Sequence, residues 1–215
     1  MIVEFVGPAA SGKSTLRRRV EEALKEESLS VATIQAAPRP QLRSLRGMTD
    51  QAISVLSQPA LSAWSIRNIG DRRRQNRLLT TLRRSYNVRR ALRRPGSDAE
   101  VIIIDEGPWR VAPRMLGEGV KREERLLHLL PWPDVFVFVT ADVEDTIQRH
   151  YERGRGLAKR PHDFMRKSHT DQLRGLETVL IHRPSIRVNT SQQREETVKS
   201  VVSFLLGNLR GGPSN

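Results

Sequence analysis

Short apolar runs alternate with amphipathic stretches along most of the chain. Ile2-Val3-Glu4-Phe5-Val6 is apolar but for one acid and predicts a buried strand. A small-residue loop, Gly7 to Gly12, follows it. Leu16, Val20 and Leu24 then recur every four residues, the spacing of one helix face, while Arg17, Arg18, Glu21, Glu22 and Lys25 take the other. Val31 to Gln35 predicts a second strand, closed by Pro38 and Pro40. Val101 to Ile104 and Val135 to Val139 are unbroken apolar runs, as strands covered on both faces require. Asp142 predicts a helix N-cap, with Glu144 and Asp145 in the first turn and Val143, Ile147 and Tyr151 as the apolar face. A helix over about Asp163–Ile181, a weaker strand over Ser185–Asn189 and a last helix over about Gln192–Leu209 complete the order.

Strand, loop, helix and strand in that order form a parallel β-α-β unit. The whole pattern predicts one α/β domain over 1–215: three layers, about five parallel strands flanked by helices. One stretch departs from it. Residues 41–98 contain no convincing strand; Leu78, Leu82 and Tyr86 recur at helical spacing, and Pro59 and Pro95-Gly96 punctuate. This segment is expected to be a helical substrate lobe. Lys121 to Leu130 predicts a short helix stopped by Pro131 and Pro133.

Charge sharpens the view of that lobe. The chain carries a net +13, and between Arg39 and Arg94 stand 14 arginines, no lysine and two acids, Asp50 and Asp71. That window alone is 14 − 2 = +12. Such concentration points to an anionic partner, or to a solvated face in an arginine-rich chain. Arg39, Arg43 and Arg46 directly follow the second strand and are the expected substrate contacts. The pairs at 83–84, 89–90 and 93–94 are expected to be solvated. Cysteine is missing, which excludes disulfides, thiolate zinc sites and cysteine nucleophiles. No run approaches the roughly 18 apolar residues of a membrane span. The opening MIVEFVG lacks the basic and apolar regions of a signal peptide, so a cytoplasmic location is expected.

The chemistry concentrates in three places. Gly7-Pro8-Ala9-Ala10-Ser11-Gly12-Lys13-Ser14 matches G-x-x-x-x-G-K-[ST] between a strand and a helix. In that context backbone N–H groups turn inward onto phosphate oxygens and the helix N-terminus adds its positive dipole end. ATP is thus expected on Gly7, Ala9, Ala10, Ser11, Gly12, Lys13, Ser14 and Thr15. Lys13 would supply a point charge to the β- and γ-phosphates and Ser14 a hydroxyl to Mg²⁺. Asp105, at the end of the third strand, is the expected carboxylate for Mg²⁺. Glu106 beside it either orients or deprotonates a nucleophile, or caps the following turn. Arg149, Arg153 and Arg155 form the third group. Arg149 and Arg153 share a helix face, and Arg155 lies between two glycines. Cations on a mobile element neutralise charge in phosphoryl transfer, although a solvated helix end is the simpler role.

On MIVEFVGPAASGKST, VIIIDEGP, VFVFVTADVEDTIQRHYERGR and RVNTSQQREETVKSVVSFL, the chain resembles the P-loop nucleoside and nucleotide kinases, most nearly thymidylate-kinase-like members. The resemblance implies a five-stranded parallel sheet and a LID, here 149–162, whose arginines Arg149, Arg153 and Arg155 contact ATP and the transferring phosphate. It places the loop at Asn189-Thr190-Ser191 near the adenine. The family's Asp-Arg pair is replaced here by Asp105-Glu106, which argues against a nucleoside monophosphate as acceptor.

Elsewhere the signals are bland. His128, His150, His162, His169 and His182 show no zinc spacing. Trp64, Trp109 and Trp132 are far apart in sequence and expected in the core or at a lip rather than as a base-stacking platform. The expected function is an ATP- and Mg²⁺-dependent kinase acting on a small, anionic acceptor such as a nucleotide, nucleoside or sugar, with a homodimer left open. A nucleic-acid-end kinase or RNA-associated ATPase, and a regulatory P-loop ATPase without phosphotransfer, are the alternatives.

Overall fold

A computed structural model describes residues 1–36, 52–60, 62–63, 72–93, 98–113, 128–152, 161–191 and 194–211, apart from the side chains of 72–75 and 194. Five strands, β1 (Ile2–Val6), β2 (Val31–Gln35), β3 (Val101–Asp105), β4 (Val135–Thr140) and β5 (Ser185–Asn189), form one parallel sheet in the order β2-β3-β1-β4-β5. The long helices are α1 (Lys13–Glu26), α2 (Arg72–Leu92), α3 (Val143–Glu152), α4 (His162–Leu180) and α5 (Arg194–Arg210). The predicted α/β class and parallel sheet are thus observed.

The period of two along each strand divides the core between the sheet's faces. Val3 and Phe5 of β1, with Val135, Val137 and Val139 of β4, pack with Leu16, Val20 and Leu24 of α1 and with Val201, Val202 and Leu205 of α5. Val6, Phe136 and Phe138 point the other way, into a cluster with Leu78 and Leu82 of α2 and Leu176 and Val179 of α4. β3 and β4 are buried along almost their whole length, while the edge strands β2 and β5 are largely half-buried or exposed. That is why the central strands read as unbroken apolar runs and β5 as a weak one.

Several expectations are refined. Trp109 and Trp132 meet, with ring centroids 4.2 Å apart, and both stand edge-on to Phe136. Trp109 is fully buried and donates its indole N–H to the Pro131 carbonyl at 2.8 Å. Tyr151 is 39% exposed, because the buried stripe of α3 runs through Thr146 and Ile147 and leaves the tyrosine at its margin. The arginine pairs of α2 are not uniformly solvated. Neighbours on a helix point about 100° apart, so one member of a pair can face inward. Arg84 is buried, and half-buried Arg89 donates to the Leu129 carbonyl at 2.9 Å, while Arg90 and Arg93 are exposed. Asp142 caps α3 as expected, accepting from the Glu144 N–H at 2.9 Å. Most of the expected helix over Lys121–Leu130 lies outside the described residues.

Candidate active site

The loops after β1, β3, β4 and β5 all leave the sheet at its carboxyl edge, around the central strand β1, where open α/β sheets form their ligand crevice. The loop after β1 is tightly packed from below. A Cβ on Gly7 would stand 2.0 Å from the Val139 carbonyl oxygen, and its φ of 145° is closed to other residues, so only glycine fits. Ala10 is held at φ 63°, in the left-handed region that costs a non-glycine residue of order 1–3 kcal/mol. That strain persists because the surroundings hold the loop. Thr190, after β5, donates its hydroxyl to the Ser11 carbonyl at 2.7 Å, and Gln172 of α4 donates to the Gly7 carbonyl at 3.0 Å. Lys13 lies across the loop's concave side. Its ammonium donates to the carbonyls of Gly7 (2.9 Å) and Pro8 and to the Ser11 hydroxyl (3.2 Å).

Asp105 closes β3 opposite Gln35, and its carbonyl accepts from the Ala36 N–H at 3.0 Å. Arg17, one turn along α1 from Ser14, brings its Nε to 3.8 Å from the Asp105 carboxylate and pairs with Glu21 at 2.9 Å. Ser14 and Arg17 share a helix face at three-residue spacing, so the hydroxyl and the carboxylate belong to one side of the crevice. Both are hard oxygen donors, which fits Mg²⁺.

Glu106 sits at φ 55°, a second strained non-glycine position, and its carboxylate pairs with two arginines: Arg84 at 3.5 Å and Arg110. Arg84 also donates to the carbonyls of Glu106 (2.7 Å) and Gly107 (3.3 Å), so α2 clamps the turn that follows Asp105. Beneath that turn lies Glu4, the single acid of β1, with no exposure at all. A Cβ on Gly107 would come 2.4 Å from its carboxyl carbon. Burial pushes the Glu4 carboxyl up to about 8, offset in part by the Arg84 charge and by the amides of Trp109 and Arg110. Neither carboxyl oxygen has a hydrogen-bond partner of full geometry among the described residues. Burial likewise draws Arg84 down to about 10, helped by Arg110 and opposed by Glu4 and Asp105. Desolvation outweighs attraction on both sides, so near neutral pH the arginine stays charged and Glu4 is mostly protonated.

Arg149 of α3 reaches back to the loop after β1. It donates to the Ala10 carbonyl at 3.4 Å and pairs with Asp145 at 3.7 Å. With Ala10, Thr15, Arg19, Thr190 and Thr197 it lines a cavity of about 200 Å³ between α1 and α5. Asn189 turns its side-chain oxygen to the Ser191 N–H at 2.9 Å, and it is Thr190 that lines the cavity. Glu144 of α3 ties the start of α4 to α3, taking His162 at 2.8 Å and also Arg166.

The structure therefore brings together the loop 7–15, Asp105, Glu106 and Arg149. Arg39, Arg43, Arg46, Arg153 and Arg155 lie outside the described residues. Sequence reasoning missed Arg84, Arg110, Arg17, Gln172 and Glu4. Only Glu4 carried a signal, as a lone acid in an apolar strand.

No protein-family model matches the chain, and no curated protein matches it in sequence. Solved structures do. Deoxyadenosine kinase from M. mycoides, with the products dCMP and a flexible dCDP bound, superposes with a TM-score of 0.60 at 13% identity, over 97% of this chain and 100% of that one. Its dCTP-bound form gives 0.57 at 13% identity, over 97% and 100% of the two chains. Its dATP-bound form gives 0.56 at 12%, over 96% and 100%. The five-stranded parallel sheet and its flanking helices are thus a fold this chain shares with that deoxyadenosine kinase.

Proposed function

We propose that the chain is an ATP-dependent kinase of the nucleoside- and nucleotide-kinase class, thymidylate-kinase-like in its core, which passes the γ-phosphoryl group to a small anionic acceptor. The observation that supports this most is the loop 7–14, strained at Ala10, pinned by Thr190 and Gln172, and spanned by Lys13. Its backbone N–H groups and Lys13 take the polyphosphate, and the cavity beside Arg149 and Thr190 takes the base and ribose. Ser14 and Asp105 would hold Mg²⁺, which would supply positive charge against the phosphates.

The acceptor is assigned to the carboxyl end of β3. Arg84 and Arg110 converge there on Glu106, and Gln35 at the end of β2 pairs with Asp105; Arg39, Arg43 and Arg46, which follow β2 in the sequence, are the further acceptor contacts proposed. Glu106 orients the acceptor hydroxyl or takes its proton. The hydroxyl oxygen bonds to the γ-phosphorus as the bond to the β,γ-bridging oxygen breaks, and ADP leaves. Arg149, with Arg153 and Arg155, neutralises the charge on the transferring oxygens.

The test is ATP consumption with nucleosides, nucleotides, sugars and RNA ends as acceptors, against water alone. Turnover on one small-molecule class, reduced by about 10²–10³ in Lys13→Ala with the fold retained, is the expected result. Turnover on RNA ends only, or equal turnover with water alone, transfers the assignment to a nucleic-acid kinase or a regulatory ATPase.

A further inference from the structure

Helix α4 presents a second polar residue to the phosphate loop. Its buried face runs through Met165, His169, Gln172, Leu176 and Val179. Gln172 bonds the Gly7 carbonyl, and His169 lies one turn before it. His169 is 7% exposed, and neither ring nitrogen has a hydrogen-bond partner among the described residues. It opens on a cavity of about 20 Å³ shared with Pro8 and Ala9 of the loop and Thr146 and His150 of α3. That is room for one water. The site is where α3 and α4 meet the loop after β1.

An imidazole buried with two unsatisfied nitrogens is unfavourable unless another state satisfies them. The charged and titratable groups around it are Lys13 from the loop, Asp142 ahead of α3, and His150. Burial, then the Lys13 ammonium, hold His169 below its ordinary value, and Asp142 opposes them. Lys13 meanwhile holds the carbonyl of Pro8, which lines the same cavity. We propose that His169 is a positioning residue of the phosphate loop: when a polyphosphate draws the Lys13 ammonium away, His169 takes up a proton and supports the loop carbonyls that Lys13 has released. The arriving phosphates bring negative charge beside Lys13, so the electrostatic environment of His169 shifts towards the protonated ring. A protonated imidazole donates from both nitrogens, matching carbonyl acceptors directly or through one water. This rests on the nucleotide-binding reading of the loop.

The experiment is calorimetric titration of the full chain with Mg-ADP at about pH 6.5, near the ordinary histidine value, in buffers of different ionisation enthalpy. The slope of the observed enthalpy against buffer enthalpy counts protons. Proton release from the nucleotide itself is common to both proteins and cancels in their difference. The wild-type chain should take up about half a proton or more beyond His169→Gln. Equal counts with ADP bound to both overturn the role of His169 alone, whereas no binding of ADP to the wild-type chain overturns the nucleotide reading and this proposal with it. His169→Asn repeats the count with a shorter neutral side chain. The imidazole Cε1–H resonances of the wild-type chain cover the case in which neither variant folds. One histidine should titrate below about 6.5 without ADP and above it with ADP, and no resonance moving overturns the proposal.

Discussion

Glu4 is a carboxyl at the centre of the sheet, surrounded by Trp109 and the Arg84 clamp. It binds its proton more tightly in the folded chain, with a value near 8, than in the unfolded chain, with a value near 4.5. Between those values the folded state holds more protons than the unfolded state, so the contribution of Glu4 to stability falls as pH rises through that window. Glu4→Gln removes the titration. Its unfolding free energy relative to wild type should rise from about pH 4.5, gain up to several kcal/mol by about pH 8 and then level off. Denaturant midpoints across pH measure this, and a difference flat with pH would show that Glu4 does not titrate there. Arg84 makes the complementary case. Removing it leaves the Glu106 and Gly107 carbonyls short of a donor, while the partly exposed Glu106 carboxylate keeps Arg110. Arg84→Met should cost about 1–3 kcal/mol of stability and loosen the turn after Asp105. Arg84→Lys, which keeps the charge without the planar fork, should recover only part of that. Neither role was legible in the sequence. Arg84 is one of fourteen arginines in its window, and only the rotation of α2 against the sheet distinguishes it from exposed Arg90.

At the scale of elements, most of the fold was legible because a parallel sheet imposes strong patterns. Central strands buried on both faces must be apolar throughout, and helices laid on them must be apolar every three to four residues. Strands β1, β3 and β4 and the helices after β1, β4 and β5 follow from that rule, while the edge strands β2 and β5 carry a weaker pattern. Contacts between loops obey no such period. Thr190 follows an edge strand yet reaches across β4 to fasten the loop after β1, with its hydroxyl 2.7 Å from the Ser11 carbonyl and 3.2 Å from that of Thr140. The sequence marked Asn189 to Ser191 only through a resemblance, and the structure singles out the threonine. Thr190→Val keeps the shape and removes the donor. It should cost about 1 kcal/mol of stability and raise the KM for ATP several-fold, with a smaller effect on the KM for the acceptor. An unchanged ATP KM would separate the fastening of the loop from nucleotide affinity.

Over the whole molecule the net charge of +13 is concentrated in one window, and what becomes of those arginines discriminates between kinds of partner. In α2 and just after it they serve different ends. Arg84 clamps the acid turn, Arg89 fastens the approach to β4 through the Leu129 carbonyl, and Arg90 and Arg93 face solvent. Part of the charge is therefore engaged in holding the protein together, and fewer cations remain for a partner than the composition implies. A polyanion bound along the lobe would neutralise many phosphates at once, and its affinity would fall about 10³-fold or more between roughly 50 and 200 mM salt. A small acceptor held by two or three guanidiniums in a crevice releases few counterions. Its kcat/KM should fall less than about tenfold over the same range, while the KM for ATP moves little. Steady-state kinetics at constant pH across that salt series measure both. A steep loss confined to the acceptor term would move the arginine lobe from small-molecule recognition to a nucleic-acid surface, and would leave the phosphate loop's assignment unchanged.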